Sequence, residues 1–292
     1  MPRKLYRFDG MTFVLEADSP IADSPMCEPF RVGAGEPADH TVRLTFSDRV
    51  PDPPQNALRQ GPLYRWYTGS ARCTLQRYSA PGRTPQFTYA ETRPGHTDLV
   101  FAESYRTGAS ARVVLESAGL FDILADAGML VLHSAYIVTR QGEGILFSGP
   151  SGIGKSTQAA LWQRYGAAQT VNGDRALVRP DTGTVSGVMY AGTSGICRNV
   201  TAPLRAVVLL HQAPESRVTD IRPQEAFARV LSQQKLNMEQ QFIRQGNQYA
   251  AVRAAAHYSV EYALSERCSG VTGYHFLCGL LEQADWAAMG KK

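Results

Sequence analysis

The nine residues Gly149-Pro150-Ser151-Gly152-Ile153-Gly154-Lys155-Ser156-Thr157 constrain this chain more than any other stretch. They fit the pattern G-x-x-x-x-G-K-[ST] at Gly149, Gly154, Lys155 and Ser156. The apolar run Ile145-Leu146-Phe147-Ser148 leads in, and a helix-forming run from Lys155 to Tyr165 leads out. In a strand, glycine loop and helix in that order, glycines let backbone N–H groups converge on an anion. The helix N-terminus then adds its positive dipole end. The alternative, a glycine-rich turn with an accidental lysine, does not explain why the flanking frame agrees. The pattern predicts a nucleoside triphosphate, ATP with Mg²⁺. Lys155 is expected against the β- and γ-phosphates, with the Ser156 hydroxyl on the metal.

The rest of the chain sorts around this loop. A length of 292 residues suits two domains. In the first half, short alternating runs are separated by proline and glycine clusters: Met11–Leu15, Thr41–Phe46, Leu63–Tyr67, Cys73–Tyr78, Gln86–Tyr89 and Leu99–Phe101. Short antiparallel strands joined by turns produce that pattern. Near residue 110 the period changes. Val114, Ala118, Phe121 and Leu124 or Ala125 recur at helical spacing, with Gly128 placed as a C-terminal cap. Strands are expected over Met129–Val138, Gln169–Val171, Leu204–Leu210 and Tyr258–Leu264. Helices are expected over Arg222–Leu231, Gln233–Arg253 and Tyr274–Met289. The organisation expected is a β-rich N-terminal domain over 1–110 and an α/β nucleotide domain over 111–292.

Composition excludes several classes. A net charge of +4 without a concentrated basic run gives no footprint for nucleic acid. No stretch approaches the roughly 20 apolar residues that span a bilayer, and no apolar core follows the basic N-terminus as in a signal peptide. The five cysteines are scattered without a C-x-x-C pair, as expected of reduced thiols in a cytoplasmic protein.

Two further residues are candidates for chemistry. Phosphoryl transfer needs a carboxylate near the phosphates, and Asp174 closes the first apolar strand after the loop helix. Asn172-Gly173-Asp174 is equally good turn chemistry, and the residues alone leave both roles open. His133 lies in the strand that hairpins into the loop strand, where it could face the phosphates or the core.

Leu132-His133-Ser134-Ala135-Tyr136, the glycine loop and Asn172-Gly173-Asp174-Arg175, taken in order, resemble the catalytic domain of HPr kinase/phosphorylase. That family shares a fold with ATP-dependent phosphoenolpyruvate carboxykinase. The likeness extends over residues 111–235. It is nearest to the HPr-kinase-like kinases of peptide-modification clusters, of lasso-peptide type, which carry blocks like Gly192-Thr193-Ser194-Gly195-Ile196-Cys197 and Leu209-Leu210-His211-Gln212-Ala213-Pro214. The resemblance implies catalytic roles for His133 and Asp174, and Asp174 beside Ser156 as metal ligand. Two departures stand out. HPr kinases have two successive aspartates after the loop helix, whereas here the first position is Gly173. Their glycine-arginine signature is also absent near Gly192–Arg198, so HPr as acceptor and phosphorylase activity are not implied.

The expectation is therefore an ATP-dependent kinase transferring the γ-phosphoryl to a Ser or Thr hydroxyl of a peptide or small protein. Asp174 or His133 takes the acceptor proton. Arg175, Ser194 and Arg198 are candidate substrate contacts, each readable also as an ordinary surface or ion-pair residue. Cys197 has no base beside it to make it a nucleophile. Alternatives are a small-molecule kinase with the same site and a nucleotide-dependent binding module with little catalysis. The N-terminal aromatics Tyr64, Trp66, Tyr67, Tyr78, Phe87 and Tyr89 could dock a substrate or form that domain's core.

Overall fold

Asp9 (φ 47°) and Gly10 (φ 84°) are consecutive left-handed residues, as a two-residue hairpin turn requires. They join β1 (Arg3–Phe8) to β2 (Met11–Ala17), so the basic N-terminal segment is itself a strand. The computed structural model describes residues 1–51, 57–61, 64–67, 73–78, 85–214, 217–233 and 259–264. The chain divides into two units, Met1–Leu120 and Phe121–Lys292, each built on a multi-stranded sheet with few helices. The fold is mixed α/β.

The first unit continues with β3 (His40–Ser47), β4 (Ala57–Gly61), β5 (Tyr64–Tyr67), β6 (Cys73–Tyr78), β7 (Pro85–Arg93) and β8 (His96–Ala102). Their order across the sheet is β1-β2-β3-β8-β7-β6-β5-β4. The expected all-antiparallel arrangement holds except at β3, which lies parallel to both β2 and β8. Residues 18–39 supply the crossover from β2 to β3 that a parallel pairing needs. Pro94 and Gly95 (φ 72°) turn β7 into β8, the proline fixing the first central position and the glycine the left-handed second. Phe8 packs against Phe13 and Phe30 with ring centroids 5.8 and 5.0 Å apart. Phe87 and Tyr89 are buried, so these two belong to the core rather than to a docking surface. The side chains of Tyr64, Trp66 and Tyr67 lie outside the described residues.

The amphipathic segment after residue 110 forms two short helices, not one: α1 (Ala111–Ser117) and α2 (Leu120–Asp126). Ser110 caps the first, accepting from the Val113 N–H. Gly119 (φ 75°) breaks the run between them. Gly128 (φ 83°) ends α2 as expected, and the Met129 N–H donates to Leu124 O in the manner of a Schellman cap. Among the described residues no helix is long and apolar enough to cross a membrane.

The second unit contains β9 (Leu130–Val138), β10 (Gly144–Ser148), α3 (Lys155–Tyr165), β11 (Gln169–Asn172), β12 (Arg175–Arg179), β13 (Thr184–Ser186), β14 (Thr201–Gln212), β15 (Arg217–Asp220), α4 (Pro223–Ser232) and β16 (Ser259–Leu264). β10 pairs antiparallel with β9 and parallel with β14, and β14 pairs parallel with β16. The pairings β10–β9–β12–β13–β14 return to β10 and close a ring. One face of these strands carries Leu130, Leu132, Tyr136, Leu146, Val178, Val185 and Val207 as a core. The other carries Ala135, Ile137, Ile145 and Phe147 against Ala159 and Trp162 of α3. Of the helix expected over Gln233–Arg253 only Gln233 is described, as the C-cap of α4; its remainder and the helix expected over 274–289 lie outside the described residues.

Two outcomes follow for this scaffold. Tyr136 is fully buried and donates from its hydroxyl to Val185 O at 3.0 Å. Tyr136→Phe should remove about 1–2 kcal/mol of stability, measured by urea denaturation, because a buried acceptor loses its donor. Burial also pushes the Cys27 thiol up to about 11. Iodoacetamide at pH 8 should therefore leave Cys27 unmodified in the folded protein while labelling the partly exposed Cys197, as read by peptide mass mapping.

Candidate functional site

The glycine loop starts where β10 ends. Gly149 (φ 148°), Gly152 (φ 80°) and Gly154 (φ 106°) take positive φ, while the intervening Ser151 and Ile153 do not. Such alternation curls successive amides into a concave nest suited to an anion. Gly149 is also sterically fixed, since a Cβ there would lie 3.0 Å from Leu210 O and 3.2 Å from Ile153 Cγ2. Gly154 is the left-handed N-cap of α3, and Lys155 is that helix's first residue. Lys155 is only 8% exposed, and its ammonium donates to Gly149 O and Pro150 O, both at 2.9 Å. A buried cation is thus held at the mouth of the nest. Ser156 and Thr157 are exposed on the first turn of α3.

The acid reaches this neighbourhood through β9. Ser148 is opposite Ser134, and Arg175 is opposite His133. Ser134 N–H donates to Asp174 O on one edge of β9. On the other edge His133 O accepts from the Ser148 hydroxyl at 2.8 Å. The loop and the Asp174 turn therefore flank β9 on opposite sides at the same level, about 10 Å apart, or two interstrand spacings. His133 shares its strand face with Ala135 and Ile137, the face covered by α3, because alternate strand residues point the same way. Beyond the end of β10, His133 N–H donates to Gln233 O, so the end of α4 occupies the edge that the loop has left.

Asp174 sits in the tight turn between β11 and β12 rather than at a strand end. Asn172 shapes that turn. It is fully buried; its Oδ1 accepts from the N–H groups of Asp174 and Arg175, and its Nδ2 donates to Val188 O and Tyr190 O. The carboxylate is bracketed by two nitrogens: His133 Nε2 is 3.5 Å from Oδ1, and Arg175 Nε is 3.4 Å from Oδ2. Its side chain remains 26% exposed. Arg175 stacks over the Tyr190 ring at 3.5 Å and lies 4.9 Å from the Phe121 ring centre. Its aromatic contacts and the Asp174 pairing make it a structural clamp on the carboxylate.

The segment Gly192–Ser194 packs against the same turn. A Cβ on Gly192 would meet Asp174 Cβ, Cγ and Oδ1 at 2.8–2.9 Å, and one on Gly173 would lie 2.1 Å from Ser194 Oγ. The absence of a side chain at position 173 is thus a packing requirement, since Ser194 fills that space. Ser194 Oγ itself donates to Ala191 O at 2.6 Å. Arg198 is anchored by its backbone, its N–H donating to Val171 O, and its side chain is exposed. The structure therefore gathers His133, Asp174, Arg175 and Ser194 and leaves the Arg198 side chain at the surface. Asn172 carries a sequence signal, an Asx residue opening a turn. Tyr190, Phe121 and Gln233 carry none.

Among the described residues no group of three or more His, Cys, Asp or Glu gathers as a metal cage. Mg²⁺ is typically held by one or two carboxylates with phosphate and water completing the shell. Asp174 and the exposed Ser156 hydroxyl offer the hard oxygen ligands for that. The family described as Peptidase M-16C associated matches residues 209–280, from the end of β14 through β16. The match leaves the glycine loop, His133 and Asp174 outside it. No curated protein matches the chain.

Asn172→Ala would strand two backbone donors and two carbonyls in the interior. A loss of about 3–5 kcal/mol is expected at 1–3 kcal/mol per unsatisfied group with partial relaxation, measured by chemical denaturation. Unchanged stability would show that the turn holds without its asparagine.

Proposed function

We propose that the chain is an ATP-dependent kinase of the HPr-kinase-like type, acting on a Ser or Thr hydroxyl of a peptide or small protein. The observation that carries this reading is the placement of the Lys155 nest and the Asp174–His133 pair on the two edges of one strand, β9. The ordered resemblance of the sequence blocks adds the family assignment. In this reading the backbone of residues 149–156 binds the triphosphate and Lys155 neutralises charge at its terminal end. Ser156 and Asp174 would hold Mg²⁺, which when bound would supply charge neutralisation.

Asp174 accepts the acceptor's proton, and its partial exposure leaves it reachable. His133 Nε2, on the opposite oxygen, fixes the carboxylate's orientation, and Arg175 holds the other side through its aromatic clamp. Catalysis then rests on positioning and electrostatics. The single carboxylate, engaged by both His133 and Arg175, also supports a second reading: a nucleotide-dependent binding module with slow turnover.

Lys155→Ala should abolish transfer and weaken ATP binding by well over tenfold without unfolding the protein; calorimetry with ATP and Mg²⁺ gives the affinity. Asp174→Asn should lower single-turnover transfer by roughly 10²–10⁴-fold, the range of one positioned proton-transfer group, with His133→Ala milder. If Asp174→Asn keeps its rate and His133→Ala loses it, the two roles are exchanged. Tight ATP binding with no transfer to any acceptor would select the binding-module reading.

A further inference from the structure

A cleft of about 220 Å³ opens beside the start of the glycine loop. Its lining comes from Gly149, Pro150 and Ile153 of the loop, Leu209 and His211 of β14, and Arg229, Ser232 and Gln233 at the end of α4. Its position follows from topology. β10 and β14 run parallel, and the cleft lies at their carboxyl ends, where the loop leaves β10. Arg229 holds the far wall in place, donating to Leu209 O at 3.2 Å and Leu210 O at 3.4 Å.

Lys155 shows which end of the loop the cleft serves. In loops of this pattern the lysine reaches the β- and γ-phosphates. Here its ammonium lies on Gly149 O and Pro150 O, the same two residues that line the cleft. The cleft therefore opens at the terminal-phosphoryl end, the side from which an acceptor hydroxyl approaches. On the kinase reading the nucleoside would lie toward the other end, past Ser156. The Gly149–Pro150–Ile153 wall and the ends of β14 give the cleft an apolar floor, with polar groups confined to Arg229, His211, Ser232 and Gln233.

Resting on the kinase reading above, we infer that this cleft is the acceptor subsite that receives one aliphatic side chain of a peptide substrate, next to the Ser or Thr that is phosphorylated. About 220 Å³ accommodates a single Leu, Ile, Val or Met side chain and not a folded element. Burying such a side chain against leaving Gly or Ala there discriminates by roughly 10- to 200-fold.

The test is a positional-scanning peptide library with a fixed Ser/Thr centre and radiolabelled ATP, run on the full chain and on Ser232→Trp and Ser232→Leu. Ser232 is an exposed residue at the cleft rim, outside the groups assigned to ATP, metal or proton transfer. The wild type should prefer aliphatic residues at one flanking position by tenfold or more. Both variants should shift that position toward Gly and Ala while keeping ATP affinity and bare ATP hydrolysis. Transfer without any aliphatic preference overturns the subsite and leaves the kinase reading standing. Transfer to no library member, with ATP still bound, overturns both. An unchanged preference in variants whose melting temperature has fallen shows that the chain's own packing uses the cleft, and overturns the subsite alone.

Discussion

The second unit depends on β9 being hydrogen-bonded along both edges. One edge pairs with β12 over Leu130–His133 and with β11 over Tyr136–Val138; the other pairs with β10 over Ser134–Val138, so β10 ends level with His133 and Ser134. N–H and C=O groups of successive residues in a strand point to opposite edges. Ser134 therefore reaches Asp174 while His133 reaches Ser148 and Gln233. A slip of one residue would exchange those partners and turn His133 from the α3 face to the opposite core. Leu132 and Tyr136 in one core and Ala135 and Ile137 in the other prohibit that slip. The register that brings the candidate residues together is thus held by hydrophobic burial on two faces.

The turn that carries the acid shows how packing constrains chemistry. Gly173, Gly192 and Ser194 fit together with no space for a further Cβ, and the Asn172 side chain accepts from two N–H groups of the turn and donates to Val188 O and Tyr190 O beyond it. A second carboxylate at 173 would need the Gly192–Ser194 segment to move. The single-carboxylate arrangement is a property of the whole turn, not of one substitution. Asp174 is in consequence oriented from three sides: by His133, by Arg175 on its aromatic clamp, and by the absent side chain of Gly192.

Much of this architecture could be read from residue order. The β10–loop–α3 frame carries its own local grammar, and α3 runs from Lys155 to Tyr165 as expected. The β9–β10 hairpin, β14, α4 and β16 were also legible, because each is an apolar or periodic run bounded by turn residues. β1 is hard to read from residue order because Arg3, Lys4 and Arg7 interrupt its alternation, although Asp9-Gly10 is a strong hairpin signal. The break at Gly119 is not legible in the sequence because helical periodicity continues across it; only the left-handed glycine divides the run. The parallel placement of β3 is not a local property at all, since any alternating strand can pair in either direction.

The sequence by itself determined the glycine loop, its helix and the candidate residues, because positive-φ glycines, a terminal lysine and strand-to-helix periodicity act within a few residues of one another. Tertiary structure decided which candidates meet. The pairing of β12 with β9 brought Asp174 to His133. The Tyr190 and Phe121 rings turned Arg175 into a clamp. The exposed Arg198 side chain was left outside the cluster. These outcomes depend on contacts between residues tens of positions apart, whose free energy comes from burial and strand register that no local pattern encodes.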